Sequence, residues 1–397
     1  MARFDHLEIL ADDPILGLGE LFAKDLRSSK MDLGVGIYKD PQGGTPVMAA
    51  VKQAEAWLVE NEQTKAYTST VGVEGFEAAL SPILLGDTLH LGERHAAIQT
   101  PGGTGSLRLM AEFLQRSGNV SQVLIGVPTW PIHGAIFERA GLKVSTYPHL
   151  DAQGSFNLSA LLAALDGLNE GDAVLLHACC HNPTGIDPTP AQWHEILEKV
   201  QRKRLLPLFD IAYQGFGDGL EQDAWALRLF CEALPEVLVS ASCSKNFGLY
   251  RERVGVLLIN CADRRSLAAV RSQVIDCARC LWSMPPSHGA AVVTHILNDA
   301  TLRALWVDEL ELMRKRITDL RSGLCKALAS IDAYQPFTTL AAQKGMFSNL
   351  GRTAQYVLNV RQQSGVYLVG EGRINVSGLD PERQLMLAQA LKAGLTS

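Results

Sequence analysis

Seven short apolar runs recur between residues 95 and 260, and amphipathic stretches of helical length separate several of them. The runs are Ala96–Thr100, Gln122–Val127, Lys143–Tyr147, Ala173–His177, Leu205–Asp210, Val237–Ala241 and Val254–Ile259. Between them lie segments such as Ser106–Arg116, Pro190–Lys203 and Asp223–Leu234. Short strands in that alternation predict a mostly parallel sheet covered by helices on both faces. One connection departs from the pattern. Ser242 to Arg253 is too short to hold a crossover helix, so an antiparallel strand is expected in the sheet. Ligands of open sheets sit outside the carboxyl ends of strands, which directs attention to the residues that follow each run.

The richest of these stretches is Ser240–Gly255, Ser-Ala-Ser-Cys-Ser-Lys-Asn-Phe-Gly-Leu-Tyr-Arg-Glu-Arg-Val-Gly. Lys245 supplies an amine that can condense with an aldehyde. Ser242, Ser244 and Arg253 supply donors for a phosphate beside it. Chemistry that needs both in one place is that of pyridoxal phosphate held covalently by a lysine. A strand-end loop whose lysine merely faces solvent is the alternative. Gly103 and Thr104, in Thr100-Pro-Gly-Gly-Thr-Gly105, open a helix and can offer free N–H groups to a phosphate. This turn lacks the spacing of a dinucleotide fingerprint and the Gly-Lys-Ser/Thr of a nucleotide loop. Asp210 closes an apolar strand, an expensive place for a carboxylate without a charged or donating partner. A protonated pyridine nitrogen would be such a partner. Asn182-Pro-Thr-Gly185 reads by composition as a plain turn, yet it too falls at this edge of the sheet.

Ser-x-Ser-Lys followed by Arg-Val-Gly resembles the cofactor-lysine region of the class I aminotransferases, in the aspartate and aromatic aminotransferase branch. Thr100–Gly105, Cys180–Gly185, Asp210–Gly215 and Gly372–Val376 resemble the same branch in the same order. The resemblance implies the type I fold of pyridoxal-phosphate-dependent transferases. That fold is α/β, with a seven-stranded, mostly parallel sheet in a large domain and a smaller α/β domain. It implies that Lys245 is the catalytic lysine and that Trp130 stacks on the pyridine ring. His133 supports Asp210 by the same likeness, and Asn182 and Tyr213 hydrogen-bond the cofactor's phenolic oxygen. Arg373 clamps the substrate α-carboxylate, Trp130 and Asn182 also border the substrate, and Gly36 lies at the substrate entrance. Tyr67 and Arg279 would reach the active site of the partner subunit, which makes the working unit a homodimer. The implied division is an arm at 1–14, part of the small domain at 15–45, the large domain at 46–305, and the small domain with its long connecting helix at 306–397.

The position of Arg279 pairs, in the resembling family, with the side-chain carboxylate of a dicarboxylic substrate. Its surroundings differ from the aspartate-preferring pattern: Trp282, Met284 and Ala66 stand where a tyrosine and two asparagines are usual. Each exchange removes a hydrogen-bond acceptor and favours an apolar ring. Lys39, Thr45 and Thr104 keep aspartate-like residues. The expected activity is therefore transfer of the amino group of tyrosine or phenylalanine to 2-oxoglutarate, with aspartate also accepted. An aspartate aminotransferase is the alternative, and β-elimination or decarboxylation on the same scaffold is the more distant one.

The remaining features set bounds. A net charge of −6 gives no broad basic surface for nucleic acid. No apolar run reaches the roughly 18 residues of a membrane span, and no signal core follows Met1, so a cytoplasmic protein is expected. Of eight cysteines, Cys277 and Cys280 have Cys-x-x-Cys spacing, but no second pair follows at zinc-finger spacing. Adjacent Cys179 and Cys180 suit neither a tetrahedral site nor an ordinary bridge. Reduced structural thiols and no metal are the expectation. Thr45–Asn61 has helical periodicity, with Pro46 suited to the first turn. From Asp299 onward, Leu305, Leu310, Leu312, Met313, Ile317, Leu320, Leu324 and Leu328 form an apolar stripe of one or two long helices.

Overall fold

The computed structural model describes residues 2–9, 14–90 and 92–395. Its centre is a seven-stranded sheet in the spatial order His95–Pro101, Val254–Asn260, Val237–Ser242, Leu206–Ile211, Ala173–His177, Gln122–Val127 and Lys143–Pro148. Each expected strand is present within a residue of its expected limits. The strand Val254–Asn260 runs antiparallel to both neighbours, and every other pairing is parallel. Alternation at period two sends successive side chains to opposite faces. Leu124, Val174, Phe209, Val239 and Leu258 pack into one apolar cluster, and Val123, Leu175, Leu208, Leu238 and Leu257 into the other.

Of the one or two long helices expected, the structure has one, Ala300–Ser330. It buries Leu302, Trp306, Leu310, Met313, Ile317, Leu320, Leu324 and Leu328. Leu312, read as part of that stripe, is exposed, because it falls outside the inward-facing series Leu302, Trp306, Leu310, Met313 and Ile317. Trp306 does what the periodicity did not foresee. Its indole donates to the Asn246 carbonyl at 2.7 Å and stacks on Phe247 with ring centroids 4.4 Å apart. The long helix thereby grips the loop that carries Lys245. The helix read from Thr45 begins instead at Ala49 and ends at Asn61. Glu309 accepts from the Ala49 and Ala50 amides at 2.6 and 3.0 Å, so a carboxylate from the long helix, and not Pro46, sets its start.

One small sheet joins the chain's beginning to its end, and a second lies within the C-terminal part. Met31–Asp32 pairs in parallel with Val366–Tyr367, and Phe347–Asn349 pairs antiparallel with Arg373–Asn375. Asn375 donates from its side chain to the carbonyls of Val35 and Ile37, which secures the segment holding Gly34 and Gly36. Of the arm read at 1–14, residues 1 and 10–13 lie outside the described residues. The helix Pro14–Lys24 begins where that arm ends. All eight cysteines are free thiols, with Cys277 buried and Cys280 exposed on one helix. No helix among the described residues is long and apolar enough to cross a membrane.

Candidate active site

Because one strand of the sheet is reversed, the turn entering it lies at the same edge as the carboxyl ends of the others. Gly103 and Thr104, Trp130, Asn182, Asp210 and Tyr213, and Ser242, Ser244, Lys245 and Arg253 all line one cleft of about 110 Å³ there. They come from six different strand ends, which is the arrangement expected at the mouth of such a sheet.

Lys245 stands three residues beyond the strand Val237–Ser242, with its amine 5.0 Å from the centroid of the Tyr213 ring. Burial, reinforced by the like charge of Arg253, lowers its affinity for a proton, although Asp210 works the other way. Asp210 is 7% exposed. Burial raises its pKa, but the His133 hydrogen bond and the nearby His133, His177 and Lys245 outweigh it, and the net shift is downward. His133 Nε2 lies 3.1 Å from Asp210 Oδ2, and its Nδ1 lies 2.8 Å from Thr129 Oγ1. Trp130 meets the His133 ring edge-on at 5.3 Å. Burial pushes the Tyr213 hydroxyl far above its ordinary range, so it remains protonated.

The opposite end of the cleft is a corner of donors. Ser242 Oγ donates to Ser244 Oγ at 2.9 Å and accepts from the Ser244 amide at 3.2 Å. Arg253 Nη1 donates to the Tyr250 carbonyl at 3.0 Å. Its guanidinium lies so close to Gly102 that a Cβ there would stand 2.5 Å from Nη2. Gly102 has φ of +72° and starts the helix Gly102–Ser117, so only a glycine lets the helix N-terminus and the arginine meet.

Arg373 is buried near the cleft, beyond the residues that line it. Its Nη2 donates to the Gly34 carbonyl at 2.8 Å, and its Nε has no partner among the described residues. Its guanidinium carbon lies 4.3 Å from the centroid of the Phe347 ring. Gly36 abuts the same ring, since a Cβ on it would stand 3.1 Å from Phe347 Cζ. Tyr67 and Arg279 are not brought into this chain's cleft. Tyr67 is 92% exposed, and Arg279 is exposed on the last turn of the helix Arg264–Trp282.

Three residues at the site escaped the sequence reading. His177 lines the cleft and lies between His133 and His181, with ring centroids at 5.2 and 4.2 Å. Its position, last in its strand, was the signal that could have found it. Thr129 orients His133 from the turn after the strand Gln122–Val127. Phe347 had no signal, being one phenylalanine in a short strand far along the chain.

The arrangement can do three things. It offers an amine of lowered basicity, a buried ionised carboxylate opposite an aromatic wall, and a phosphate-sized corner of hydroxyls, amides and a guanidinium. Comparison with known proteins agrees with that chemistry. Residues 28–391 match the family model "Aminotransferase class I and II". An aromatic-amino-acid aminotransferase of Pseudomonas aeruginosa is 50% identical over 98% of both chains. An aspartate aminotransferase of Escherichia coli is 44% identical over 99% of this chain and 100% of its own length. The crystal structure of a Burkholderia pseudomallei aromatic-amino-acid aminotransferase, covalently bound to pyridoxal phosphate, superposes with a TM-score of 0.96. It is 42% identical and covers all of both chains. With the family model matched over residues 28–391 and these relatives alike over nearly their whole length, the chain belongs to the class I and II aminotransferases.

Proposed function

We propose that the chain is a pyridoxal-phosphate-dependent aromatic-amino-acid aminotransferase, which moves the amino group of tyrosine or phenylalanine to 2-oxoglutarate and also accepts aspartate. The observation that carries the reading is the Lys245 amine facing Tyr213 in one cleft with Asp210, Trp130 and Arg253. The residues fit the cofactor. Asn182 keeps in the cleft wall a buried amide oxygen without a partner among the described residues, and a Cβ at Gly103 would press on Ser242 at 3.3 Å, narrowing the phosphate corner.

Pyridoxal phosphate, when bound, supplies an aldehyde that takes up amino groups and a pyridinium ring that accepts the electrons of a breaking Cα–H bond. Lys245 would hold it covalently, and its amine would carry the substrate α-proton as general base and acid. Its lowered basicity suits that exchange. Asp210, kept ionised by His133, holds a proton on the ring nitrogen. Ser242, Ser244, Arg253 and the amides of Gly103 and Thr104 take the phosphate. Trp130 would flank the ring, and Tyr213 and Asn182 would donate to its phenolic oxygen. Arg373 takes the substrate α-carboxylate with its planar fork, with Gly36 leaving room at the entrance.

Tyr67 and Arg279 are exposed and away from the cleft of their own chain, which supports their service to a partner's cleft in a two-fold homodimer. Residues 15–45 and 306–397 would form the small domain and 46–305 the large one, with 1–14 as an arm on the partner. A cytoplasmic location goes with this reading. Aromatic preference is supported by the apolar company of Arg279, namely Trp282, Met284 and Ala66. The aspartate alternative is favoured by the Escherichia coli relative and by Lys39, Thr45 and Thr104. Measuring kcat/KM for tyrosine, phenylalanine and aspartate with 2-oxoglutarate decides between them. Aromatic donors are expected no worse than about tenfold below aspartate, about 1.4 kcal/mol at the transition state. An aspartate preference above about a thousandfold would leave the alternative standing.

A further inference from the structure

We propose that Arg321 is a positioning residue for the carboxylate-binding Arg373, acting through the backbone on either side of Phe347; the proposal rests on the role given to Arg373 above. Arg321 lies on the inward face of the helix Ala300–Ser330 and is 6% exposed. Among the described residues no carboxylate pairs with it. Its Nε donates to Ser348 Oγ at 3.0 Å, and its Nη2 donates to the carbonyls of Gly345 and, at 3.4 Å, Phe347. A buried cation held by neutral acceptors alone is a poor way to stabilise a core, since an apolar side chain of similar volume avoids the desolvation. Its presence is explained by what the fork holds in place.

What it holds has no slack. A Cβ on Gly345 would stand 2.5 Å from Cys180 Cβ, and one on Gly185 would stand 2.9 Å from the Phe347 carbonyl oxygen. The Lys344 amide donates to the Gly185 carbonyl at 2.7 Å. Residues 344–347 are therefore wedged against the loop that presents Asn182. On the other side the Phe347 ring lies 4.3 Å from the Arg373 guanidinium carbon and meets Tyr213 edge-on at 5.7 Å. Gly36 rests against the same ring. One ring thus touches three residues assigned to substrate or cofactor. Arg373 has a carbonyl on Nη2, this ring on its face and, among the described residues, no partner on Nε, so a displaced ring re-aims the guanidinium. Lysine at position 321 would keep the charge but could not span the hydroxyl and the carbonyls together.

The test compares wild-type, Arg321→Lys and Ser348→Ala holoenzymes. An unreactive carboxylate, 3-indolepropionate, serves as probe; it is present in a solved aromatic amino acid aminotransferase 42% identical to this chain. Arg321→Lys is expected to raise the Kd of 3-indolepropionate and the KM for phenylalanine by about tenfold, with kcat down less than about threefold. Ser348→Ala is expected to move both constants the same way by about threefold. Cofactor content per chain stays at the wild-type value in both. A residue serving the core alone would lower the melting temperature and the active fraction while leaving the Kd of intact sites unchanged. Unchanged Kd and KM in folded Arg321→Lys overturn the proposal, and if that variant does not fold, unchanged values in Ser348→Ala overturn it. Absence of phenylalanine turnover in the wild type would overturn the proposed function, while the Kd ratio between wild type and variant decides the role of Arg321.

Discussion

His133 stands behind Asp210 with its Nε2 3.1 Å from the carboxylate, and Thr129 holds the far side of the imidazole at 2.8 Å. Burial alone would raise the pKa of Asp210, and this partner, with His177 and Lys245, turns the net shift downward. His133→Phe is therefore expected to move Asp210 upward, so the acid limb of kcat/KM shifts to higher pH. The stability that ionised Asp210 contributes is present above the unfolded carboxylate value of about 3.9 and is lost as pH falls through its lower folded value. Asp210→Ala is expected to cost about a thousandfold in kcat, about 4 kcal/mol. An acid limb that does not move in His133→Phe would contradict the assignment.

Behind this pair the imidazoles continue inward. His181 stacks on His149 at 3.5 Å with an interplanar angle of 11°, and both are buried. Burial drives His149 down to about 4 and His177 to about 3, and takes His181 well below its ordinary value. These rings are neutral in the fold, whereas unfolded histidine takes a proton below about 6.5. Their contribution is complete above that pH and is lost as pH falls toward the folded values, at up to about 1.4 kcal/mol per unit per ring. The unfolding free energy should therefore drop steeply between about pH 6.5 and 5. His149→Phe should shallow that slope by about one proton, read from denaturant unfolding at several pH values.

Lys245→Ala should bind pyridoxal phosphate without the visible absorption of the lysine-linked form and should lose turnover. Arg279→Ala should lose activity toward dicarboxylates. If Arg279 serves the partner's cleft, mixing the two inactive proteins restores part of the 2-oxoglutarate-dependent activity, because one cleft of each heterodimer is intact. No recovery after demonstrated subunit exchange would count against shared sites.

Gly102→Ala tests the phosphate corner. Alanine would have to hold φ at +72° with its Cβ against the Arg253 guanidinium, a strain of about 1–3 kcal/mol. The expected result is a rise of about tenfold or more in the Kd for pyridoxal phosphate. Gly103→Ala, with φ outside the left-handed region and its nearest contact at 3.3 Å, should weaken binding less. Equal effects at the two positions would sink this account of the corner.

The seven strands were legible because each is an apolar run of strand length closed by polar or turn residues. Lys245, Arg253 and Asp210 were legible for a related reason, since their chemistry sits beside those strand ends in the chain. What was hidden depends on partners remote in sequence. The first turn of the helix Ala49–Asn61 is set by Glu309, and no local signal around Thr45 and Pro46 carries that fact. Trp306 was passed over for its neighbour Leu305 in the apolar stripe, although its indole nitrogen holds the Asn246 carbonyl. Phe347 and Arg321 gain their meaning only when the strands Phe347–Asn349 and Arg373–Asn375 are paired.

The strand order has a consequence in time. Thr100 lies beside Gly255, and a Cβ on Gly255 would strike the Gly102 backbone at 2.5 Å. The phosphate corner is thus made from the first strand of the large sheet and the last, which leave the ribosome far apart. Closing so long a loop is slow and follows the pairing of the strands between. A nascent chain lacking the strand Val254–Asn260 has Lys245 but neither Arg253's anchored position nor the backing for Gly102, so it has no corner to fill. Uptake of the cofactor then marks completion of the sheet, and free pyridoxal phosphate acts on the later steps of folding by stabilising the finished state over all the partial ones.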